Sequence, residues 1–314
     1  MSPGAPGHCL TGTVSNDAYA FLLDEDGQHV YWVDDSDGTL RRAPIGGGAE
    51  LQLAALSGWI PLSMTVDDSN VYIGALPLAA LASPMPGVIL TIPKSGGTLA
   101  VLVSGVLTPF DVETDATHLY WAASGTFDIP DETIAPDGRI ERSLKNGTGR
   151  QTLAENLSAP LDLALQEDGV YYGETGLAEG DETVGVYVVG KSGGAVTTID
   201  DDTAAGYVTV AGDDVVVWGG DAQVQNALFV IRKDGGGKRT LVQDDFLGSG
   251  ARVSDGVAYY LVEGEAANEL WSVPVSGGTP ARLRGDVYFT DDFEVDACAV
   301  TVGTESGRVE RSRR

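Results

Sequence analysis

The most informative unit of this sequence spans residues 62–103 and reads LSMTVDDSNVYIGALPLAALASPMPGVILTIPKSGGTLAVLV. Short runs of β-branched and other apolar residues alternate in it with turns rich in Asp, Asn and Gly. Segments of roughly four to seven residues bounded in this way are typical of antiparallel strands joined by hairpins. The unit therefore predicts four consecutive strands, with an aromatic residue, Tyr72, directly after the first polar turn.

The same order of segments recurs along the chain. Its marker is a dipeptide, usually aromatic, that follows a short polar turn: Tyr31-Trp32, Tyr72-Ile73, Tyr120-Trp121, Tyr171-Tyr172, Val217-Trp218, Tyr259-Tyr260 and, more weakly, Thr301-Val302. The copies are about 45 residues apart, and four antiparallel strands in a repeat of that length are typical of a β-propeller blade.

We predict an all-β protein, a single β-propeller domain over residues 1–314 with seven four-stranded blades. The seventh copy ends before its fourth strand, whereas residues 8–15 precede the first copy and have no partners there. This N-terminal strand is expected to complete the last blade and close the ring, with residues 1–7 disordered or foreign to the natural chain. Closure removes a free sheet edge, which suits a monomer. The alternative is six blades and an irregular tail.

Two of the repeats resemble a known family. Tyr31-Trp32-Val33-Asp34 and Tyr120-Trp121, each followed by a strand and a glycine turn, are similar to YWTD repeats. Such repeats occur in low-density-lipoprotein-receptor-type propellers and in uncharacterised secreted propeller proteins of bacteria. The resemblance covers nearly the whole chain as a repeat pattern. It implies a propeller fold and an extracellular or periplasmic location, with a cytoplasmic location as the alternative.

The composition excludes several classes of partner. Asp and Glu number 46 against 19 Lys and Arg, which gives a formal net charge of −27. That excess repels nucleic acid and anionic membrane surfaces. No run of about 18 apolar residues predicts a transmembrane helix, and the start of the chain lacks the apolar segment of a signal peptide.

The connections differ in length between the two faces of the predicted ring. Long connections between second and third strands run from Gly74 to Gly87, from Ala122 to Gly138 and from Gly173 to Val184. They share one face, called here the loop-rich face, with the connections between blades. Turns on the opposite face are short, and residues 24–27 are assigned to one of them. Long loops on one side of a rigid scaffold predict a binding surface; the alternative is neutral variation.

The repeats also align Ser63, Asp111, Asp162 and Asp292 at one position, near the mouth of the central channel. Converging carboxylates repel one another, so one is protonated or a cation lies among them. Oxygen ligands favour Ca²⁺ or Mg²⁺, with Asp111, Asp162 and Asp292 as candidate metal ligands. The alternative is that each aspartate caps backbone amides of its own turn. The candidate ligand-binding residues are Trp59, Phe110, Asp111, Asp162, Tyr207, Asp245, Phe246, Tyr288 and Asp292.

Cys9 and Cys298 are the two cysteines of the chain, and both fall in the predicted seventh blade. The strands that carry them are expected to lie about 14 Å apart, whereas a disulfide requires Cα atoms within about 7 Å. Bridging therefore requires the N-terminal segment to curl under the blade. A disulfide and two separate thiols both remain open, and with them the redox compartment.

The leading hypothesis is a non-enzymatic binding or scaffold propeller whose acidic, loop-rich face receives a small-molecule, saccharide or protein ligand. The alternative is a divalent-metal-dependent lyase, or lactone or ester hydrolase, with its site at the channel mouth. A third is a purely structural ring that is kept soluble by its charge. The histidines are His8, His29 and His118, of which His29 and His118 map to hairpin turns on the opposite face, so no catalytic triad is drawn.

Overall fold

A computed structural model describes residues 10–16, 18–288 and 292–314 of the chain. Nearly all of its regular structure is β-strand, and the one helical segment within these ranges is a 3₁₀ turn at Leu78–Leu81. The described strands form seven four-stranded antiparallel blades, so the predicted β-propeller with seven blades is confirmed and the six-bladed alternative is wrong. No helix in the described part is long and apolar enough to span a membrane.

Blades one to four contain β2 (Ala20–Glu25), β3 (His29–Asp34), β4 (Thr39–Pro44) and β5 (Leu51–Ala55); β6 (Trp59–Val66), β7 (Asn70–Pro77), β8 (Gly87–Pro93) and β9 (Ala100–Val106); β10 (Pro109–Thr114), β11 (His118–Ala123), β14 (Gly138–Leu144) and β15 (Gln151–Leu157); and β16 (Leu163–Leu165), β17 (Val170–Thr175), β18 (Val184–Val189) and β19 (Thr197–Asp200). A small hairpin, β12 (Phe127–Asp128) and β13 (Thr133–Ile134), lies in the long connection of the third blade.

Blades five to seven contain β20 (Ala204–Ala211), β21 (Asp214–Gly220), β22 (Ala227–Arg232) and β23 (Arg239–Gln243); β24 (Leu247–Ser254), β25 (Val257–Val262), β26 (Asn268–Pro274) and β27 (Ala281–Val287); and β28 (Glu294–Val295), β29 (Ala299–Thr304), β30 (Arg308–Arg313) and β1 (Gly12–Ser15). In every blade the marker dipeptide of the repeat lies on the second strand, and its side chains are buried except for the half-buried Trp218.

The first strand of the chain closes the ring. β1 pairs antiparallel with β30, with Gly12 opposite Arg311 and Thr13 opposite Glu310. Val14 is buried in the core between the seventh and first blades. The closing strand predicted at residues 8–15 thus begins at Gly12 in the structure, and residues 8 and 9 lie outside the described ranges.

Arg311, on the strand β30 that pairs with β1, also stabilises the closure of the ring. Its guanidinium is buried, donates a hydrogen bond to the Leu10 carbonyl oxygen at 3.0 Å, and forms ion pairs with Glu25 and Asp296. A buried charge is tolerated only when it is paired and hydrogen-bonded. Removing the N-terminal segment would therefore leave this guanidinium less well satisfied.

Cys298 is disulfide-bonded in the structure, which excludes a free thiol at this position. Cys9, the other cysteine of the sequence, lies outside the described residues.

A repeated set of three side chains ties neighbouring blades together on the face opposite the long loops. A tyrosine of the aromatic dipeptide donates a hydrogen bond to an aspartate in its own blade, and a lysine of the next blade pairs with the same aspartate. The four sets are Tyr31, Asp26 and Lys94; Tyr72, Asp67 and Lys145; Tyr120, Asp115 and Lys191; and Tyr171, Asp168 and Lys233. The tyrosine of the repeat is thereby explained by a polar contact as well as by burial.

The long connections have the positions that the sequence predicts, at residues 78–86, 124–137 and 176–183. One assignment was wrong. Asp24 and Glu25 belong to the innermost strand β2 and not to the turn that follows it, which begins at Asp26. This difference places the Asp24 side chain in the central channel.

Deleting residues 1–15 tests the closure. The deletion removes the β1–β30 pairing, the burial of Val14 and one hydrogen bond of Arg311, so the free energy of unfolding should fall by about 3 kcal/mol or more. Chemical denaturation of both proteins under reducing conditions measures this difference without any contribution from the disulfide of Cys298. Equal stability of the two proteins would show that the ring does not depend on its first strand.

Candidate functional site

The central channel contains a cavity of about 710 Å³ to which every blade contributes. Its walls are the innermost strands and the connections that lead into them. Six carboxyl groups, one guanidinium group and three aromatic rings line it: Asp24, Asp111, Glu113, Asp162, Asp292, Glu294, Arg252, Phe21, Phe110 and Tyr207. The cavity is therefore strongly acidic, with apolar surface between its charges.

Five of the nine residues predicted to bind a ligand line this cavity, namely Phe110, Asp111, Asp162, Tyr207 and Asp292. The other four do not. Trp59 packs against the core between the first two blades. Asp245 and the largely exposed Phe246 lie in the connection before β24. Tyr288 donates a hydrogen bond to Asp35 on the loop-rich face.

The aspartates of the channel link neighbouring blades. In each case the backbone N–H of one innermost strand donates to an aspartate of the preceding blade: Val66 to Asp24 (2.6 Å), Leu163 to Asp111 (3.1 Å), Val208 to Asp162 (2.7 Å) and Leu23 to Asp292 (2.6 Å). The alternative that these aspartates accept backbone amides thus agrees with the structure for Asp111, Asp162 and Asp292, although these hydrogen bonds come from the next blade. These side chains fix the blades against each other as well as charging the cavity.

The guanidinium group of Arg252 is the cation among these carboxylates. Its Nη2 atom lies 3.1 Å from Oδ1 of Asp292, and its Nε atom lies 3.7 Å from Oε1 of Glu294. Although burial opposes it, the negative charges of Glu294 and Asp292 raise the pKa of Arg252 above its ordinary value. The sequence analysis predicted that a carboxyl group is protonated or that a cation is bound among the aspartates. In the structure the side chain of Arg252 supplies a positive charge at this place.

One guanidinium group does not balance the charge of six buried carboxyl groups, and the pKa values of five of them are raised. Burial raises the pKa of Asp24 to about 7 and that of Asp111 to about 6. Burial, reinforced by nearby carboxylates, raises the pKa values of Glu113, Asp162 and Glu294 well above their ordinary range. The cavity therefore takes up protons as the pH falls towards neutrality and below.

Glu113 differs from the other acids of the cavity. The structure gives its carboxylate no hydrogen bond and no ion pair within the described residues, whereas the aspartates accept backbone N–H groups. Its pKa is raised by burial and by the charges of Asp111 and Asp24. Glu113 is thus the carboxyl group of the cavity most available to an added ligand.

Sequence reasoning missed four charged residues of the cavity: Asp24, Glu113, Arg252 and Glu294. Their signal was present, because all four occupy the position two residues after the one that the repeat alignment selected. Alternate residues of a strand point to the same side. Aligning that second position would have found both the additional acids and their arginine.

The candidate metal ligands do not form a recognisable metal site. Within the described ranges, no three His, Cys, Asp or Glu side chains are arranged to hold a metal ion. Asp111 and Asp162 each direct one carboxylate oxygen at a backbone N–H, and Asp292 also pairs with Arg252. The donor set therefore does not fit a divalent cation, which prefers several convergent oxygen ligands.

The connections of the loop-rich face around the cavity are acidic. The described residues of its connections include many Asp and Glu and not one Lys, Arg or His: 16, 18–19, 35–38, 56–58, 78–86, 107–108, 124–137, 158–162, 176–183, 201–203, 221–226, 244–246, 263–267, 288, 292–293 and 305–307. Cations reach it from strands and opposite-face turns, as Lys238 does where it pairs with Asp202 and Asp221. All five lysines of the chain lie in opposite-face turns.

Comparison with known proteins establishes the fold and no more. A scan against protein-family models and a search of curated proteins gave no match. Among solved structures, the chain is similar to virginiamycin B lyase from Staphylococcus aureus, at 13% identity and a TM-score of 0.63 over 95% of this chain and 96% of that chain. Nidogen in complex with laminin matches at 13% identity and a TM-score of 0.56, over 80% and 90%.

An oligogalacturonate lyase in complex with manganese also matches, at 11% identity and a TM-score of 0.60, over 84% of this chain and 78% of that chain. These propellers include a protein-binding assembly and two lyases, so the likeness does not select one activity. Function has to be argued from the side chains of the cavity.

The raised pKa values predict how stability depends on pH. A carboxyl group whose pKa is higher in the folded than in the unfolded state contributes stability below its unfolded pKa, and this contribution is lost as the pH rises through the folded pKa. The variant Glu113→Gln should therefore be more stable than the parent at pH 8, and the difference should shrink towards pH 4. Denaturation across this range measures it.

The matched control is Glu155→Gln, which neutralises an exposed carboxylate on the outer strand β15. Its difference from the parent should stay small at every pH, since surface substitutions usually change stability by less than about 0.5 kcal/mol. A Glu113→Gln variant that behaves like this control would contradict the account of a strained acidic cavity.

Proposed function

We propose that the protein is a non-enzymatic binding propeller that holds a small organic cation, an alkylammonium or guanidinium compound, in its central cavity. The single observation that carries the proposal is the cavity's imbalance of six carboxyl groups against one guanidinium group. A bound cation would restore part of the missing balance and lower the raised pKa values of the carboxyl groups.

The apolar part of the lining supports an organic cation over a bare metal ion. Phe21, Phe110 and Tyr207 line the same cavity as the carboxyl groups. An ammonium or guanidinium group over an aromatic face gains about 0.5–2 kcal/mol, and the rings can also cover the carbon chain of such a ligand. Glu113, whose carboxylate has no partner in the described residues, is the proposed anchor.

The surroundings of the cavity support entry of a cation. In the part of the chain that the structure describes, the connections on the loop-rich face carry carboxylates and no basic residue. A surface of one sign raises the local concentration of oppositely charged ligands and speeds their association. The effect weakens as salt is added, because exposed charges are screened over about 10 Å at 0.1 M ionic strength.

We also propose that the propeller acts outside the cytoplasm, in the extracellular space or the periplasm. The disulfide of Cys298 supports this, because disulfides persist in oxidising compartments and are rare in the cytosol. The resemblance of the aromatic dipeptides to YWTD repeats supports the same location. A monomeric ring is part of the proposal.

Ligand binding is tested with chosen probes. Putrescine, arginine amide and choline, each on the order of 10 mM, are added to the protein and the melting temperature is followed. At least one should raise it, and calorimetry should then give an affinity that falls about tenfold or more in Glu113→Gln, a loss of about 1.4 kcal/mol. Glu155→Gln is the matched control and should bind like the parent.

Other results would overturn this proposal. Stabilisation by micromolar Ca²⁺, Mg²⁺ or Mn²⁺, reversed by a chelator, would favour the metal-dependent lyase or hydrolase instead. Stabilisation by neutral saccharides alone would remove the role of charge. A protein that none of the three cations stabilises, or whose affinity for them does not depend on Glu113, is not the binding module described here.

A further inference from the structure

The connection between β7 and β8, residues 78–86, is apolar and exposed. It reads LAALASPMP and contains no charged residue. Leu78, Leu81 and Met85 keep 50%, 53% and 40% of their surface accessible, and Ala80 alone in the segment is buried. Three large apolar side chains exposed together in one short segment mark an interaction site, whereas single ones are ordinary.

The segment is held in a defined shape. Its first residues form the 3₁₀ turn Leu78–Leu81, and the Leu78 N–H donates to the Gly58 carbonyl oxygen at 2.8 Å. At its other end Gly87 passes so close to Pro109 and the Ala75 carbonyl oxygen that a Cβ atom there would lie 2.8 and 2.6 Å from them. A segment already fixed in shape loses little entropy when it binds.

Acidic connections flank this segment on both sides of the ring. The first blade contributes residues 35–38, where Asp35 accepts a hydrogen bond from Tyr288 and Asp37 pairs with Arg41. The third blade contributes residues 124–137. In the latter, Asp131 and Glu132 are exposed. An uncharged apolar centre with an acidic border is complementary to a partner surface that has an apolar centre and a basic border.

We propose that residues 78–86 are a docking site for another protein, one whose apolar patch is bordered by Lys or Arg. The flanking carboxylates disfavour a membrane, because the surface of an anionic bilayer repels them. They also disfavour a second copy of this chain, because a symmetric pair would bring two acidic faces together. The site lies on the loop-rich face, in the connection between the second and third strands of its blade, and does not depend on the cation proposed for the cavity.

The probe is a fluorescein-labelled amphipathic peptide of about 14 Leu and Lys residues, which presents an apolar stripe bordered by ammonium groups. Fluorescence anisotropy should show binding to the parent that weakens with added salt. The triple variant Leu78→Ser, Leu81→Ser, Met85→Ser should bind at least about tenfold more weakly, since a few apolar anchors dominate such interfaces. The variant Asp131→Asn, Glu132→Gln should bind more weakly and with less dependence on salt.

The matched control replaces three other apolar residues that are also exposed, in the variant Leu51→Ser, Val101→Ser, Leu144→Ser. It should bind like the parent, and a Ser and Lys peptide of equal charge should bind neither protein. Equal affinity of the two triple variants for the Leu and Lys peptide would overturn the proposal. So would a concentration-dependent dimer, or binding to phosphatidylcholine vesicles, that the first triple variant abolishes.

Discussion

Antiparallel pairing between β1 and β30 is the contact on which the central cavity depends. It joins the first residues of the fold to the last strand and fixes the seventh blade against the first. Only in a closed ring does the Leu23 N–H meet the carboxylate of Asp292, and only there do innermost strands from every blade face one axis. Most other contacts in the protein are local to a blade or to a pair of neighbours.

The blades are joined by polar links at two levels. On the opposite face the sets of tyrosine, aspartate and lysine connect consecutive blades. There the effect of burial on the pKa of the carboxyl group is outweighed by its hydrogen-bond donors. Although burial opposes it, hydrogen bonds from Lys94, His29 and other donors lower the pKa of Asp26 to about 2. In the channel the links are aspartates that accept backbone N–H groups, and there burial prevails. The same residue type thus links the blades at both levels, but its charge is balanced by lysines on the opposite face and is left unbalanced along the axis.

The fold could be predicted from the sequence because the repeat carries it. Polar turns and aromatic dipeptides mark each blade, and the missing fourth strand of the last copy indicates the closure. The channel was predicted in part. Aligned positions show which residues are equivalent, as for Asp111 and Asp162. They do not show which side chains of different blades meet, as Arg252 and Asp292 of two neighbouring blades do.

The errors also have physical causes. Asp24 follows four apolar or aromatic residues and precedes Asp26 and Gly27, so its composition resembles that of a turn, although backbone pairing with Tyr31 keeps it in the strand. Trp59, Phe246 and Tyr288 are aromatic residues close in sequence to the innermost strands, which is why they were predicted to bind a ligand. In the structure Trp59 packs between two blades, Phe246 is largely exposed and Tyr288 contacts Asp35 on the loop-rich face. Whether such an aromatic residue lines the cavity depends on how neighbouring blades pack against each other, and the sequence of a single repeat does not show this.

The distribution of lysine and arginine has a consequence for the survival of the protein among proteases. The longest connections between the described strands, 78–86, 124–137 and 176–183, contain neither residue. An enzyme of the trypsin type, which cuts after basic side chains, therefore finds no cleavage point in the loops that are otherwise the easiest to digest. The lysines after which such a protease would cut lie in short turns on the face opposite the long loops, and ion pairs restrain four of them.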